Sequence, residues 1–211
     1  MYRAVQNTVT TGRPMEFDPT KALDAIMRLF WEKGFLGVTL PDLEKRTGLN
    51  RSSLYNSFGS KQEVFEQALE RYREMMGQQM CGPLERGERG LADIVSFLGS
   101  VGEQFTKSKG PAGCLMVNSM VEFGGDDEIV ARLSSKHLQR VKKAFTAALQ
   151  RAADAGEIKS EGLATKAELL MSLLLGITVA ARSGMSRSEV NALVDAARTQ
   201  VEAWAGTVPR K

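Results

Sequence analysis

The chain has few of the side chains that catalysis and metal binding require. Its 211 residues include one histidine, His137, and two cysteines, Cys81 and Cys114. One histidine excludes any site that needs two, and the cysteine spacing matches neither a zinc site nor a disulfide framework. A glycine-rich phosphate loop after a strand and a recognisable nucleophile–base pair are also missing. We therefore expect a protein that is not an enzyme and that needs no metal and no cofactor.

Long apolar runs are missing as well. Residues 1–19 contain no apolar stretch, so no signal peptide is predicted. The most apolar segment, 169–181, is interrupted by Ser172, Gly176 and Thr178 and is short for a bilayer, which favours a buried helix. The sequence therefore predicts a cytoplasmic protein with no membrane contact.

An excess of positive charge is confined to the first third of the chain. The net charge of the whole chain is +3. Residues 20–61 contain seven basic and four acidic side chains, whereas residues 62–211 contain 19 of each kind. A polyanionic partner would therefore be attracted to the first third and not to the remainder.

Helix signals dominate the pattern along the chain. Apolar residues recur at helical spacing and strand-like alternation is nearly absent, so the sequence predicts an all-α protein. Helices are predicted to start at the N-cap residues Asp18, Thr39, Asn50, Ser60, Thr165 and Ser186. Breaks are predicted at Gly34, Gly48, Gly82-Pro83, Gly110-Pro111, Gly124-Gly125 and Gly156.

The most informative segment, 34–61, has the pattern of a helix-turn-helix. Two short helices are joined by Thr47-Gly48-Leu49, where glycine permits a sharp turn. A small core is predicted from Ile26, Phe30, Leu43, Leu49, Leu54 and Phe58. The outer face of the following helix then carries Arg51, Ser52, Ser53, Tyr55, Asn56 and Ser57, which are side chains suited to base edges and phosphates in a major groove. The pattern alone also allows a helical hairpin with a solvated polar face.

This segment resembles the DNA-binding domain of the tetracycline-repressor (TetR) family of bacterial regulators. The matching positions are Gly34-Phe35, Thr39, Asp42-Leu43, Gly48-Leu49, Leu54-Tyr55, Phe58 and Ser60-Lys61. The resemblance implies that Thr39, Tyr55 and Lys61 bind phosphates. It also implies that Arg51, Ser52, Ser53 and Asn56 face base edges. Three positions depart from the family pattern: Glu44 and Thr47 replace the usual alanine, and Asn50 replaces the usual serine.

The resemblance also implies a domain organisation and a function. The expected parts are a flexible N-terminal arm (1–17), a three-helix helix-turn-helix domain (18–61) and a helical ligand-binding and dimerisation domain (62–208). The expected protein is a homodimeric repressor that binds a near-palindromic double-stranded DNA operator and leaves it when a small, largely apolar effector binds. Two alternatives remain open: a thiol-based sensor of electrophiles or oxidants, and a helical protein-interaction module with a vestigial DNA-binding domain.

Two sets of apolar residues in the second part are candidate sites. The last two helices suggest a dimer interface at Leu170, Leu174, Ile177, Leu193, Ala197 and Val201, although these faces could instead pack within the chain. An effector pocket is suggested by Phe97, Val101, Phe105, Cys114, Val117, Asn118 and Met120, although the same spacing also fits plain core.

Three polar residues near that pocket have open roles. Cys114 is expected near a helix N-terminus, where a thiol can become reactive, or else as an inert wall residue. Glu122 is expected either to orient a ligand or to lie on the surface. His137, which follows Lys136 and precedes Arg140, is expected on a solvated helix face.

Overall fold

The computed structural model describes residues 17–107 and 113–207. The predicted arm at 1–17 lies outside these ranges except for Phe17, and so does the predicted break at Gly110-Pro111. The described residues are mostly helical and contain no strand, so the all-α prediction is confirmed. In chain order the helices are α1 (Pro19–Gly37), α2 (Leu40–Thr47), α3 (Arg51–Phe58), α4 (Lys61–Met76), α5 (Gly82–Arg86), α6 (Leu91–Lys107), α7 (Leu115–Phe123), α8 (Glu128–Asp154), α9 (Leu163–Arg182) and α10 (Arg187–Ala203).

Local capping explains where most of these helices begin. The side chains of Asp18, Thr39, Asn50, Ser60 and Ser186 each accept a backbone N–H in the first turn, as predicted. The predicted start at Thr165 is wrong, because α9 begins at Leu163 after Gly162, which has a left-handed conformation. Short polar side chains therefore fix the starts of the DNA-binding helices directly.

The predicted break at Gly82-Pro83 is also wrong. Gly77 and Gly82 both have right-handed helical angles, and a π-helical turn (Gly77–Cys81) joins α4 to α5. Pro83 lies in the first turn of α5, where the missing N–H of proline is tolerated. The wider π turn therefore carries the helix past a residue that would interrupt a regular α-helix.

Buried apolar side chains form two clusters. The first joins α1–α4 to α7 and to the beginning of α8, and the second joins the π turn and α5 to α6, α8, α9 and α10. In the first cluster the predicted small core is confirmed, with Leu49 half-buried and the other five residues buried. Because α7 packs with the DNA-binding helices, the core crosses the expected boundary at residue 61.

α9 is a long and strongly apolar helix. By length and composition alone it is long and apolar enough to cross a membrane, which the interrupted run 169–181 had not suggested. Its inner residues, including Leu170, Leu174 and Ile177, instead lie in the second cluster. Leu169 and Val179 on its other side are 40% and 48% exposed.

Candidate DNA-binding surface and effector cavity

The turn between α2 and α3 sets the geometry of the helix-turn-helix. Gly48 ends α2 with φ 73° and ψ 6°, a left-handed conformation that glycine adopts most easily. A Cβ at this position would meet no atom within 4 Å, so the requirement for glycine is conformational and not steric. Thr39 begins α2, and its hydroxyl donates to the Asp42 carboxylate at 2.8 Å while remaining at an exposed position.

The outer face of α3 carries the predicted base-reading residues. Arg51, Ser52 and Asn56 are exposed, and Ser53 is half-buried. Tyr55 is 43% exposed, and the Arg51 guanidinium lies 5.6 Å from the centre of its ring. The structure therefore places an arginine, two hydroxyls, an amide and a phenol along one short helix.

Lys61 lies beside this helix, at the first position of α4. Its amine is 4.3 Å from the centre of the Phe35 ring, a cation–π contact. The seven predicted DNA-binding residues thus occupy α3 and the starts of α2 and α4. Their contacts with DNA stay a prediction.

Ion pairs reduce the positive charge of this surface. Lys33 pairs with Asp42 at 2.6 Å, and Arg46 pairs with Glu32 at 2.6 Å. The Lys33 hydrogen bond, helped by two from Thr39, holds the pKa of the Asp42 carboxyl well below its usual range. With Lys21, which pairs with Asp18 at 3.7 Å, three of the seven basic residues between 20 and 61 are therefore already matched with acids.

A mostly apolar cavity lies between the end of α4, the π turn and α6–α9. Its volume is about 50 Å³. It is lined by Tyr72, Met76, Met80, Cys81, Phe97, Val101, Gln104, Phe105, Cys114, Val117, His137, Leu138, Val141, Leu174, Leu175 and Thr178.

Five of the seven predicted pocket residues line this cavity, and two do not. Cys114 and Val117 are three positions apart and so face the same side at the start of α7. Asn118 and Met120 do not line the cavity, and Met120 is 39% exposed and borders a separate surface groove. The pocket assignment of Asn118 and Met120 is therefore corrected.

The polar end of the cavity consists of Tyr72, Cys114 and His137. The Cys114 Sγ is 3.8 Å from His137 Nε2, and the Tyr72 and His137 rings are 6.0 Å apart. His137 is only 7% exposed, so its predicted position on a solvated face is wrong. The sequence contained the signal: His137 continues the apolar stripe of α8 through Val130, Leu133 and Val141 at helical spacing.

Burial keeps these groups uncharged at neutral pH. It lowers the pKa of His137 to about 4, and the charges of Arg140 and Arg73 add to this effect. Burial raises the pKa of the Cys114 thiol, although hydrogen bonds from Tyr72 and from backbone N–H groups oppose the change. Burial also raises the pKa of Cys81 to about 11. The cavity therefore suits a neutral molecule better than an ion.

The predicted dimer residues need a correction. Leu170, Leu174, Ile177, Ala197 and Val201 are at most 8% exposed and pack in the chain's own second cluster. Leu193 alone of the six is exposed, at 38%. A second copy could not reach the five buried side chains without opening this core, because each already faces its neighbours in the same chain.

Glu122 has neither of its expected roles. Its two carboxylate oxygens accept the backbone N–H groups of Phe35 and Leu36, at 2.9 and 2.7 Å. Glu122 is 87 positions after Phe35 and 86 after Leu36, and no sequence signal connects residues so far apart. Only the fold reveals this contact.

Two family models match the chain. The model of bacterial regulatory proteins of the tetR family matches residues 22–68, and that of the tetracyclin repressor-like C-terminal domain matches residues 90–201. The chain belongs to the TetR family. This TetR-family protein is accordingly a DNA-binding transcriptional regulator, and the first model spans the helix-turn-helix described above.

Relatives extend over nearly the whole chain. The transcriptional repressor ComR of Escherichia coli K12 is 31% identical over 196 residues, which cover 92% of this chain and 91% of ComR. A cysteine mutant of the TetR-family regulator CifR, solved with 26-base-pair double-stranded operator DNA, has a TM-score of 0.79 at 26% identity and covers 92% of this chain and 100% of its own. The reduced form of E. coli NemR shares the fold, with a TM-score of 0.74 at 23% identity over 89% of this chain and 96% of NemR.

Proposed function

We propose that this TetR-family protein is a repressor that a small, largely apolar effector releases from its operator. The observation that carries the proposal is the neutral, mostly apolar cavity whose wall includes α4 and α7, since these two helices also pack against the DNA-binding helices. Two relatives support the proposal that the protein is an operator-binding repressor: ComR is named a transcriptional repressor, and CifR was solved in complex with operator DNA.

The DNA contacts follow from the exposed side chains of the helix-turn-helix. Thr39, Tyr55 and Lys61 bind phosphates and position the domain, while the remaining α3 residues read base edges in the major groove. Two copies related by a twofold axis place their α3 helices about 34–36 Å apart, one turn of DNA. The operator is therefore a near-palindrome.

The dimer forms through the outer faces of α9 and α10. These faces expose Leu169, Val179 and Leu193, and Gly176 between the first two is also exposed. A Cβ at Gly176 would meet nothing within its own chain, so a second helix can approach closely there. The apolar residues would leave water on pairing, as subunit interfaces require.

The effector is a neutral molecule that displaces side chains as it enters. The cavity volume of about 50 Å³ is small, so a drug-sized ligand fits only if the wall moves. Met76 and Met80 line the wall, and methionine side chains adapt their shape at low cost.

Selection of tight-binding duplexes from a random DNA library tests the DNA part of the proposal. We expect one near-palindromic sequence, bound by a dimer. Release is then measured with pairs of apolar compounds that differ only in charge, such as a methyl ester and its free carboxylate. We expect the esters to weaken binding and the carboxylates to leave it unchanged. No preferred sequence would favour the interaction-module alternative, and equal effects of both members of each pair would contradict the neutral-effector assignment.

A second candidate input is covalent modification of Cys114. The thiol lies in the cavity wall beside His137 Nε2, with the Tyr72 hydroxyl and the Met116 and Val117 N–H groups directed at the sulfur. Addition to a quinone would form an Sγ–C bond. The thiol proton would pass through His137 to one quinone oxygen and the displaced ring proton to the other, giving an aryl thioether hydroquinone.

The raised pKa of Cys114 argues against this input, because the thiolate is the reactive form. We therefore expect operator binding to survive quinone or peroxide treatment in wild type, in Cys114→Ser and in the control Cys81→Ser. Release of wild type and of Cys81→Ser, but not of Cys114→Ser, would establish the thiol input.

A further inference from the structure

Glu122 of α7 closes a break in α1. Gly34 interrupts α1 with φ 74° and ψ 173°, so the N–H groups of Phe35 and Leu36 begin a new turn without partners inside the helix. Both oxygens of the Glu122 carboxylate accept these N–H groups. A Cβ on Gly34 would lie 2.8 Å from Oε2, so glycine is needed there both for its angles and for the approach of the carboxylate.

The other end of α7, its N-terminal end, lines the cavity. Cys114 and Val117 line the wall, and the neighbouring Gly113 carbonyl accepts the buried Trp31 indole N–H at 2.9 Å. The nine residues of α7 form one uninterrupted helix about 13 Å long. A displacement of its cavity end is therefore transmitted to Glu122 by a rigid element.

The break in α1 leads directly to the DNA-binding surface. Leu36 is three positions before Thr39, and the Val38 N–H bonds to the Phe35 carbonyl at 3.4 Å. The Phe35 ring also packs 5.3 Å from Phe123 of α7 and lies under the Lys61 amine. Phe35 thus connects α7 to both proposed phosphate-binding residues outside α3.

We infer that Glu122 is a positioning residue for DNA binding, through which the state of the cavity sets the places of Thr39 and Lys61. The inference rests on the proposed function, because it assumes that the occupied cavity disfavours operator binding. The carboxylate, while it accepts both hydrogen bonds, fixes the DNA-binding arrangement. Occupation of the cavity moves α7 and withdraws the carboxylate from Phe35 and Leu36.

A double-mutant cycle tests the connection without a known effector. Val101→Phe fills the cavity from α6 and so imitates occupancy, while no residue of α7 itself is substituted. Glu122→Gln leaves one oxygen acceptor and turns an NH₂ group toward the second backbone N–H. Glu128→Gln, at an exposed position in the first turn of α8, is the control for losing one acidic charge. Affinity for the selected operator is measured for wild type, for each variant and for the Val101→Phe/Glu122→Gln pair.

We expect Val101→Phe and Glu122→Gln each to weaken operator binding about tenfold, and the double variant to bind no more weakly than the poorer single one. Glu128→Gln should bind at least as tightly as wild type. A double variant weakened about a hundredfold would mean independent effects and would overturn the role of Glu122 while leaving the proposed function standing. A Val101→Phe protein that binds like wild type would overturn both.

Circular dichroism establishes that each variant is folded. If Val101→Phe does not fold, Val141→Leu on α8 is the smaller filler of the same cavity. A merely structural Glu122 would lower the midpoint of thermal unfolding but leave the salt dependence of operator binding by the folded protein unchanged. Displacement of Thr39 and Lys61 from their phosphates is instead expected to weaken binding to all duplexes and to lower the salt slope by about one.

Discussion

Gly34→Ala should destabilise the protein through two separable effects. The first is strain, because φ 74° with ψ 173° is a region that only glycine adopts readily, at a cost of about 1–3 kcal/mol for other residues. The second is the loss of at least one charged hydrogen bond when the new methyl group displaces the Glu122 carboxylate, at about 1.5–3 kcal/mol. Together these predict a decrease of about 4 kcal/mol in the free energy of unfolding.

Urea denaturation separates the two effects. In a Glu122→Ala background the hydrogen bonds are already absent, so Gly34→Ala should introduce only the backbone strain. It should then lower the free energy of unfolding by about 2 kcal/mol less than it does in wild type. Gly48→Ala supplies a control for positive φ alone, since its Cβ would contact nothing, and should cost about 1 kcal/mol. If Gly34→Ala costs the same with and without Glu122, the proposed contact between them contributes nothing to stability.

Three further variants test other parts of the structure. Lys61→Ala should weaken binding to all duplexes alike and lower the salt slope by about one, and a change confined to sequence preference would contradict the phosphate assignment. Leu193→Arg should give a folded monomer by light scattering, whereas Leu174→Arg should unfold the chain; a dimeric Leu193→Arg protein would place the interface elsewhere. Because the pKa of buried His137 is lowered to about 4, its contribution to stability is complete above about pH 6.5 and is lost as the pH falls towards 4, roughly 3 kcal/mol in all. His137→Phe should flatten that pH dependence, and an unchanged slope would show that other groups cause it.

The sequence was sufficient wherever a structural feature depends on neighbouring residues. The caps at Thr39, Asn50 and Ser60 each involve side chains and N–H groups within three positions, so their pattern can be read directly. The polar outer face of α3 is equally local. The break predicted at Gly82-Pro83 was wrong because a π turn, which has no simple sequence signature, precedes the proline and lets the helix continue through it.

Features that depend on distant contacts could not be predicted. Apolar periodicity showed that Leu170 and Val201 are buried but not whether the partner is the same chain or a second copy. The charged neighbours of His137 concealed its place on an apolar stripe. The role of Glu122 required knowing that α7 passes the break in α1, and nothing local to either segment indicates it.

The π turn also constrains how the chain can change length. A π turn is a regular helix that holds one additional residue. Deletion of one residue between Gly77 and Cys81 would therefore leave a regular α-helix, in which the ring of Pro83 would clash with the carbonyl four positions before it and bend the helix. The paired Glu85 and Arg140, and the Leu84 carbonyl that accepts from Arg151, would then no longer face each other across α5 and α8. Insertions and deletions should accordingly be tolerated poorly in this short segment and better in the loop 155–162.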